Sequence, residues 1–187
     1  MNAEIRSALI RVLPFAVILF ILLLQIKKGR ITKQDLFLNK PYSVKGFFYW
    51  LIGFLLVVVT IEYCLYKAGI LEINKWNHPF FSSVIRITGA VFLAPIVEEL
   101  IFRGLLLNML VKRKINLHLA IFIQAVMFGL LHNFTYQNSL TANIGIAQSL
   151  MDAMLFGYAK YATRSIYTPM AMHVTGNFIA TAERFIF

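Results

Sequence analysis

The chain is poor in charge, poorer still in acid, and almost without cysteine. Only 14% of its 187 residues are charged and eight are acidic, whereas 59% are hydrophobic; a soluble domain carries about 25% charged residues. That balance excludes a disordered chain and argues against a soluble one. The lone cysteine, Cys64, has no internal partner, so a disulfide framework is excluded and Cys64 reads as a packing residue. A formal charge of +10 would suggest nucleic acid in a soluble protein. With so much apolar sequence the membrane surface is the simpler partner, and no nucleic-acid partner is expected. Internal repeats and Pro/Ser-rich linkers are also lacking, so residues 1–187 read as a single integral membrane domain with no large soluble part before or after it.

What is present is a series of apolar runs. A bilayer core of about 30 Å takes roughly 20 apolar residues as helix, because an unpaired backbone group in hydrocarbon is costly. Six stretches qualify approximately: Ser7–Ile26, Gly46–Tyr66, Phe80–Val111, Leu117–His132, Ala142–Tyr161 and Tyr167–Phe187. The expected fold is all-α, a polytopic membrane helix bundle of about six spans. The first run ends in Lys27-Lys28-Gly29-Arg30 without a small-residue cleavage site, and so reads as a retained span rather than a signal peptide. The third would rise about 48 Å at 1.5 Å per residue. It is expected to be broken near Pro95, just before Glu98.

Basic residues near short loops stay cytoplasmic. Lys27, Lys28, Arg30, Lys33, Lys40 and Lys45 face the single acid Asp35 between the first two runs. Lys112-Arg113-Lys114 and the Lys160–Arg164 turn join that side if the spans alternate, which puts both termini outside despite Arg6 and Arg11. The Lys-, Ile-, Asn- and Phe-leaning composition suggests a bacterial cell membrane.

Ionisable side chains within spans are expensive and face the bundle interior or a wet cavity. The candidates are Glu98, Glu99 and Arg103 on the third run, His132 on the fourth, Asp152 on the fifth, and His173 with Asn177 on the sixth. Glu99 and Arg103, four apart with the acid first, share a helix face in the favoured order. Two adjacent carboxylates in low dielectric do not both ionise easily, so Arg103 is expected to hold Glu99 charged, leaving Glu98 for proton transfer. A purely structural ion-pair cluster explains these three residues equally well. Gln124, Phe128 and His132 share one face at four-residue spacing, as do His173 and Asn177. An interfacial or hydrogen-bonded residue is the plainer reading of His132, and a hydrogen-bonded helix contact that of His173 and Asn177. Asp152, one turn after Gln148, needs a partner, either a histidine of the group or Arg86. His78 and His118 sit at span edges, and Trp50 and Trp76 fit an aromatic belt.

Depth links the candidates. Glu98 lies about 21 Å from Lys112, His132 about 22 Å from Leu117, and His173 and Asn177 about 14 and 20 Å from Arg164, all at 1.5 Å per residue. Alternating helices would therefore bring them to one level.

The runs Glu98-Glu99-Leu100-Ile101-Phe102-Arg103, Phe128-Gly129-Leu130-Leu131-His132 and His173-Val174-Thr175-Gly176-Asn177 resemble the EExxxR, FxxxH and HxxxN signatures of the CPBP (Abi) family of intramembrane endopeptidases. That family includes the type II CAAX prenyl endopeptidases. The resemblance covers a family core of about residues 80–187. It implies that Glu98 and His132 hold and deprotonate a water and that His173 and Asn177 bind the oxyanion. Glu99, Arg103 and Phe128 would support the site. It also implies a membrane-associated peptide or lipidated protein as substrate.

No cofactor is expected. HExxH, GxGD and Gly-x-Ser-Gly runs are lacking, but Glu98, His132 and His173 could together form a two-His, one-carboxylate zinc site with an open position. A zinc-dependent version of the site therefore competes with the glutamate mechanism. A proton or cation relay in a small transporter and a non-catalytic bacteriocin-immunity or interaction protein compete with hydrolysis itself.

Overall fold

The computed structural model describes residues 2–71, 73–131 and 139–186. Six helices account for the six apolar runs: α1 (Ala3–Lys27), α2 (Val44–Lys67), α3 (Phe80–Lys112), α4 (Leu117–Leu131), α5 (Leu140–Thr163) and α6 (Tyr167–Ile186). Three begin with a polar cap: Asn2, Ser43 and Ser139 accept from the amides of Glu4, Gly46 and Ala142. Helices α1, α2 and α3 are long and apolar enough to cross a bilayer. The outward faces of α1 and α2 expose Val17, Phe20, Ile52 and Leu56, as a lipid-facing surface requires. The protein is a helical membrane bundle.

Helices α1 and α3 run parallel. Glu4 meets Ser82 and Arg86 at one end of this pair, and Leu22 packs in one cluster with Leu100 at the other. Midway, Gly89 lets the two backbones close, since a Cβ there would fall on the Val12 side chain. Val12 is branched at Cβ and stiff. Glycine at residue 89 is thus a packing requirement.

Helix α3 does not stop at Pro95. Its break takes the form of two π-helical segments, Thr88–Leu93 and Leu100–Leu106, around one α-helical turn, Ala94–Glu99. Pro95 has no amide hydrogen, and its ring crowds the carbonyl four residues back. Widening the preceding turn removes that clash, and the Ala94 amide reaches the Gly89 carbonyl instead. Such widened turns occur often at functional sites. Here they bracket the turn that carries Glu98 and Glu99.

The 28–43 segment is folded against the end of the bundle. Leu36 is wholly buried among Leu22, Leu100, Ile166 and Met170. The amide of Ile166 donates to the Phe37 carbonyl at 3.0 Å and that of Tyr42 to the Thr163 carbonyl at 2.9 Å. Lys112 reaches Asp35 at 2.6 Å, and with Thr32 it holds the Asp35 carboxyl well below the usual carboxylate range.

Two side chains, Lys160 and Cys64, lie otherwise than the sequence suggests. Lys160, counted among the cytoplasmic turn charges, is fully buried: its Nζ donates to the Arg103 carbonyl at 2.6 Å and lies 4.0 Å from the Phe37 ring centroid. Its long apolar stem lets the ammonium turn inward from a helix end. Gln124, on the buried face it shares with Phe128, donates to the carbonyls of Ile121 and Ala153, a hydrogen-bonded contact that joins α4 to α5. Cys64 is exposed rather than packed, because α2 turns that face outward.

Candidate functional site

The turn Ala94–Glu99 aims two consecutive carboxylates at α6. Glu99 is completely buried and takes a hydrogen bond from Arg103 Nη1 at 2.8 Å, the four-residue pairing that the sequence predicts. The Arg103 guanidinium lies between two aromatic faces, 4.6 Å from the Phe128 centroid and 5.1 Å from that of Phe156. These contacts spread its charge over ring quadrupoles where water has no access.

His173 joins the two acids. Its Nδ1 is 3.0 Å from Glu99 Oε1 and its Nε2 is 3.5 Å from Glu98 Oε2. The Phe156 ring stacks on the imidazole at 5.1 Å and the Phe128 ring meets its edge at 5.9 Å. An imidazole fixed this way has its ring plane and both nitrogens determined: one faces a supporting carboxylate and the other faces the reactive one. Glu98 keeps 15% of its side chain exposed where Glu99 keeps none. Of the two acids, Glu98 is therefore the one that solvent and ligands reach.

One turn beyond His173, Asn177 donates through Nδ2 to the Ala90 carbonyl at 2.8 Å. Ala90 lies in the first π-helical segment, so the widened turn and the HxxxN run are joined directly. His132 lies outside the described residues. The site residues brought together are thus Glu98, Glu99, Arg103, Phe128, His173 and Asn177.

Asp152 does not pair with Arg86. Arg86 is taken by Glu4, Ser7 and Ser82, all at the ends of α1 and α3. Asp152 instead lines a cavity of about 210 Å³ with His173, Asn177, Gln148 and Glu62. Glu62 went unnoticed in the sequence because one acid in the last turns of an apolar helix looks interfacial. The hint lay in its spacing: Phe54, Val58 and Glu62 recur every four residues, and the first two are buried. Asp152 Oδ1 and Glu62 Oε2 have no hydrogen-bond partner among the described residues.

A second cavity, about 400 Å³, shares His173 and Asn177 with the first and is lined also by Glu98. Glu98 Oε2 and His173 Nε2 are donors of the kind zinc accepts, but no group of three His, Cys, Asp or Glu is arranged for a metal among the described residues. A carboxylate that reaches a cavity, an imidazole oriented by a second carboxylate and a fixed amide can together move a proton and receive a developing anion.

The family described as type II CAAX prenyl endopeptidase, Rce1-like, matches residues 80–179. An uncharacterised 24.3 kDa protein of Escherichia coli is 26% identical over 132 residues, covering 67% of this chain and 58% of that protein. The chain therefore spans little more than half the length of that relative. No solved structure matches.

Proposed function

The chain belongs to the Rce1-like type II CAAX prenyl endopeptidases, and on that premise we propose that it is an intramembrane endopeptidase whose substrate is a membrane-associated or lipid-anchored peptide. The observation that carries this reading is His173, held by Glu99 on one nitrogen and facing Glu98 with the other, between two cavities.

In this mechanism Glu98, assisted by His132, takes a proton from water as the water oxygen attacks the scissile carbonyl carbon. The tetrahedral oxyanion accepts from His173 and Asn177. To donate through Nε2 while Nδ1 donates to Glu99, His173 has to carry both protons, and the Glu99 carboxylate supplies the counter-charge. Asn177 has a second amide hydrogen besides the one given to Ala90. The protonated Glu98 then passes its proton to the leaving nitrogen, and the C–N bond breaks. Glu99, Arg103 and Phe128 position these groups without touching the reacting atoms. A substrate helix would have to unwind at the cleaved bond, because a helical carbonyl is already hydrogen-bonded. We place the Lys27–Lys45 end in the cytoplasm and both termini outside, with residues 1–187 forming one domain.

The test is a peptide-cleavage assay on purified protein with metal analysis, with and without chelator. Cleavage without stoichiometric metal, insensitive to chelation, supports the glutamate mechanism. Cleavage abolished by chelation and restored by zinc overturns it in favour of a zinc site on Glu98, His132 and His173. Ion flux in sealed vesicles that depends on Glu98, with no cleavage, would make the site a relay.

A further inference from the structure

Away from Glu98 and His173, the last turns of α1 and α3 enclose a basic pocket. A cavity of about 420 Å³ is lined there by Arg30, Lys112 and Arg113, with Asp35 as the one acid of its lining and Leu105 and Met109 on its apolar side. The two helices close in the same way, each with a residue in the left-handed conformation, Gly29 at φ 70° and Lys114 at φ 63°. In α1 the amides of Gly29 and Arg30 donate to the Ile26 and Gln25 carbonyls, both at 3.0 Å; in α3 those of Lys114 and Ile115 donate to Val111 and Leu110 at 2.9 and 3.3 Å. Backbone hydrogen bonds thereby place Arg30 and Arg113. The wall between them is fixed as well, since Asn108 donates through Nδ2 to the Asp35 carbonyl at 2.9 Å.

Asp35 does not neutralise the pocket. Its Oδ1 accepts from Lys112 Nζ at 2.6 Å, and its Oδ2 accepts twice from Thr32, from the hydroxyl at 2.7 Å and the amide at 3.0 Å. One carboxylate thus stands among three cations, and the cation it pairs with is Lys112. Arg30 reaches a neutral acceptor, Gln25 Oε1, through Nη1 at 3.4 Å. Basic residues at helix C-termini complement the helix dipole, but that effect acts on each helix alone and calls for no shared cavity. On α3 the pattern continues into the bilayer: Arg113, Met109 and Leu105 recur every four residues and share one face, running from the helix end inward. Met109 is exposed. Cations at the helix end with an apolar track below them match the polarity of a phospholipid.

We propose that this pocket binds one anionic phospholipid, with its phosphate held by Arg30 and Arg113 and an acyl chain lying along Met109 and Leu105. Planar guanidinium forks suit phosphate oxygens, and basic pockets between membrane helices hold anionic headgroups. A free anion would use the head of the pocket and leave the apolar track bare. An acidic soluble protein could not follow that track into hydrocarbon. The wall of the pocket includes Gly104 and Leu105, which belong to the second π-helical segment, the one that carries Arg103. A lipid seated here therefore lies against the element that supplies the partner of Glu99. The inference does not depend on the proteolytic reading.

The test is native mass spectrometry of the full chain released from micelles that contain dioleoyl phosphatidylglycerol or dioleoyl phosphatidylcholine. The expected result is one phosphatidylglycerol retained with an apparent Kd about tenfold lower than that of phosphatidylcholine. In the double variant Arg30→Gln/Arg113→Gln the two lipids bind about equally. Lys40→Gln/Lys45→Gln, which removes the same charge outside the pocket, keeps the preference. Equal retention of both lipids by wild type overturns the proposal. So does a preference lost equally in the Lys40→Gln/Lys45→Gln protein, because the attraction is then a diffuse surface effect. Inorganic phosphate or glycerol 3-phosphate displacing the lipid at comparable concentration makes the pocket a free-anion site and also overturns it. A phosphatidylglycerol with a photoreactive diazirine in its acyl chain tests wild type without any substitution: crosslinks at residues 105–109 are expected, and crosslinks confined to other helices contradict the proposal.

Discussion

Arg103 donates to Glu99 across 2.8 Å with neither side chain exposed at all. Breaking such a pair strands a charge out of water, which typically costs about 3–5 kcal/mol, whereas removing both partners is far milder. Arg103→Met and Glu99→Gln should each lower the unfolding midpoint in detergent sharply. The double variant should recover much of the loss while remaining inactive, because His173 has lost its supporting carboxylate. Arg103→Lys should not rescue either property, since an ammonium cannot lie flat between Phe128 and Phe156.

Lys160 should prove structural despite its position near a helix end. Its Nζ holds the Arg103 carbonyl at 2.6 Å, and a hydrogen bond to a charged group is worth about 1.5–3 kcal/mol. Lys160→Met is expected to destabilise the protein by about that amount, measured by denaturant unfolding in micelles. The same substitution at exposed Lys28 should change little.

The contact of α1 with α3 at Gly89 leaves no room for a methyl group. Gly89→Ala should cost about 1–3 kcal/mol, as overpacking usually does. Val12→Ala made in the same chain should return most of it. A double-mutant cycle with no coupling between the two sites would contradict the packing described.

Acid should loosen the 28–43 segment. Lys112 and Thr32 hold Asp35 below its usual range, so its contribution is present in full above the unfolded-state value of about 4. As pH falls through the lowered folded-state value that contribution is lost. Hydrogen exchange of the Leu36 and Leu38 amides should show wild type better protected than Asp35→Asn from pH 8 to about 5. The difference should shrink in stronger acid.

Long apolar runs made the helices easy to read, and the expected Phe80–Val111 becomes Phe80–Lys112 with only one residue added. Periodicity also paired Glu99 with Arg103 and His173 with Asn177, because four-residue spacing fixes a shared face whatever the tertiary structure. The form of the break at Pro95 was not legible, since widened turns and an interrupted helix share one sequence signal. Nor was the burial of Lys160 or the place of Glu62 beside Asp152. Both depend on which neighbouring helix a side chain meets, which no single helical period encodes. Trp76 read as an aromatic anchor at a membrane edge, yet it forms part of a cavity wall because α6 returns to the level where α3 begins.

The most direct test of the account is the single-turnover rate of peptide cleavage by Glu98→Gln, compared with wild type at equal folded fraction. General-base removal costs about 10²–10⁴ in rate. The account predicts a loss of that size in the single-turnover rate, with peptide affinity and unfolding midpoint little changed. Cleavage by Glu98→Gln at the wild-type rate would contradict it.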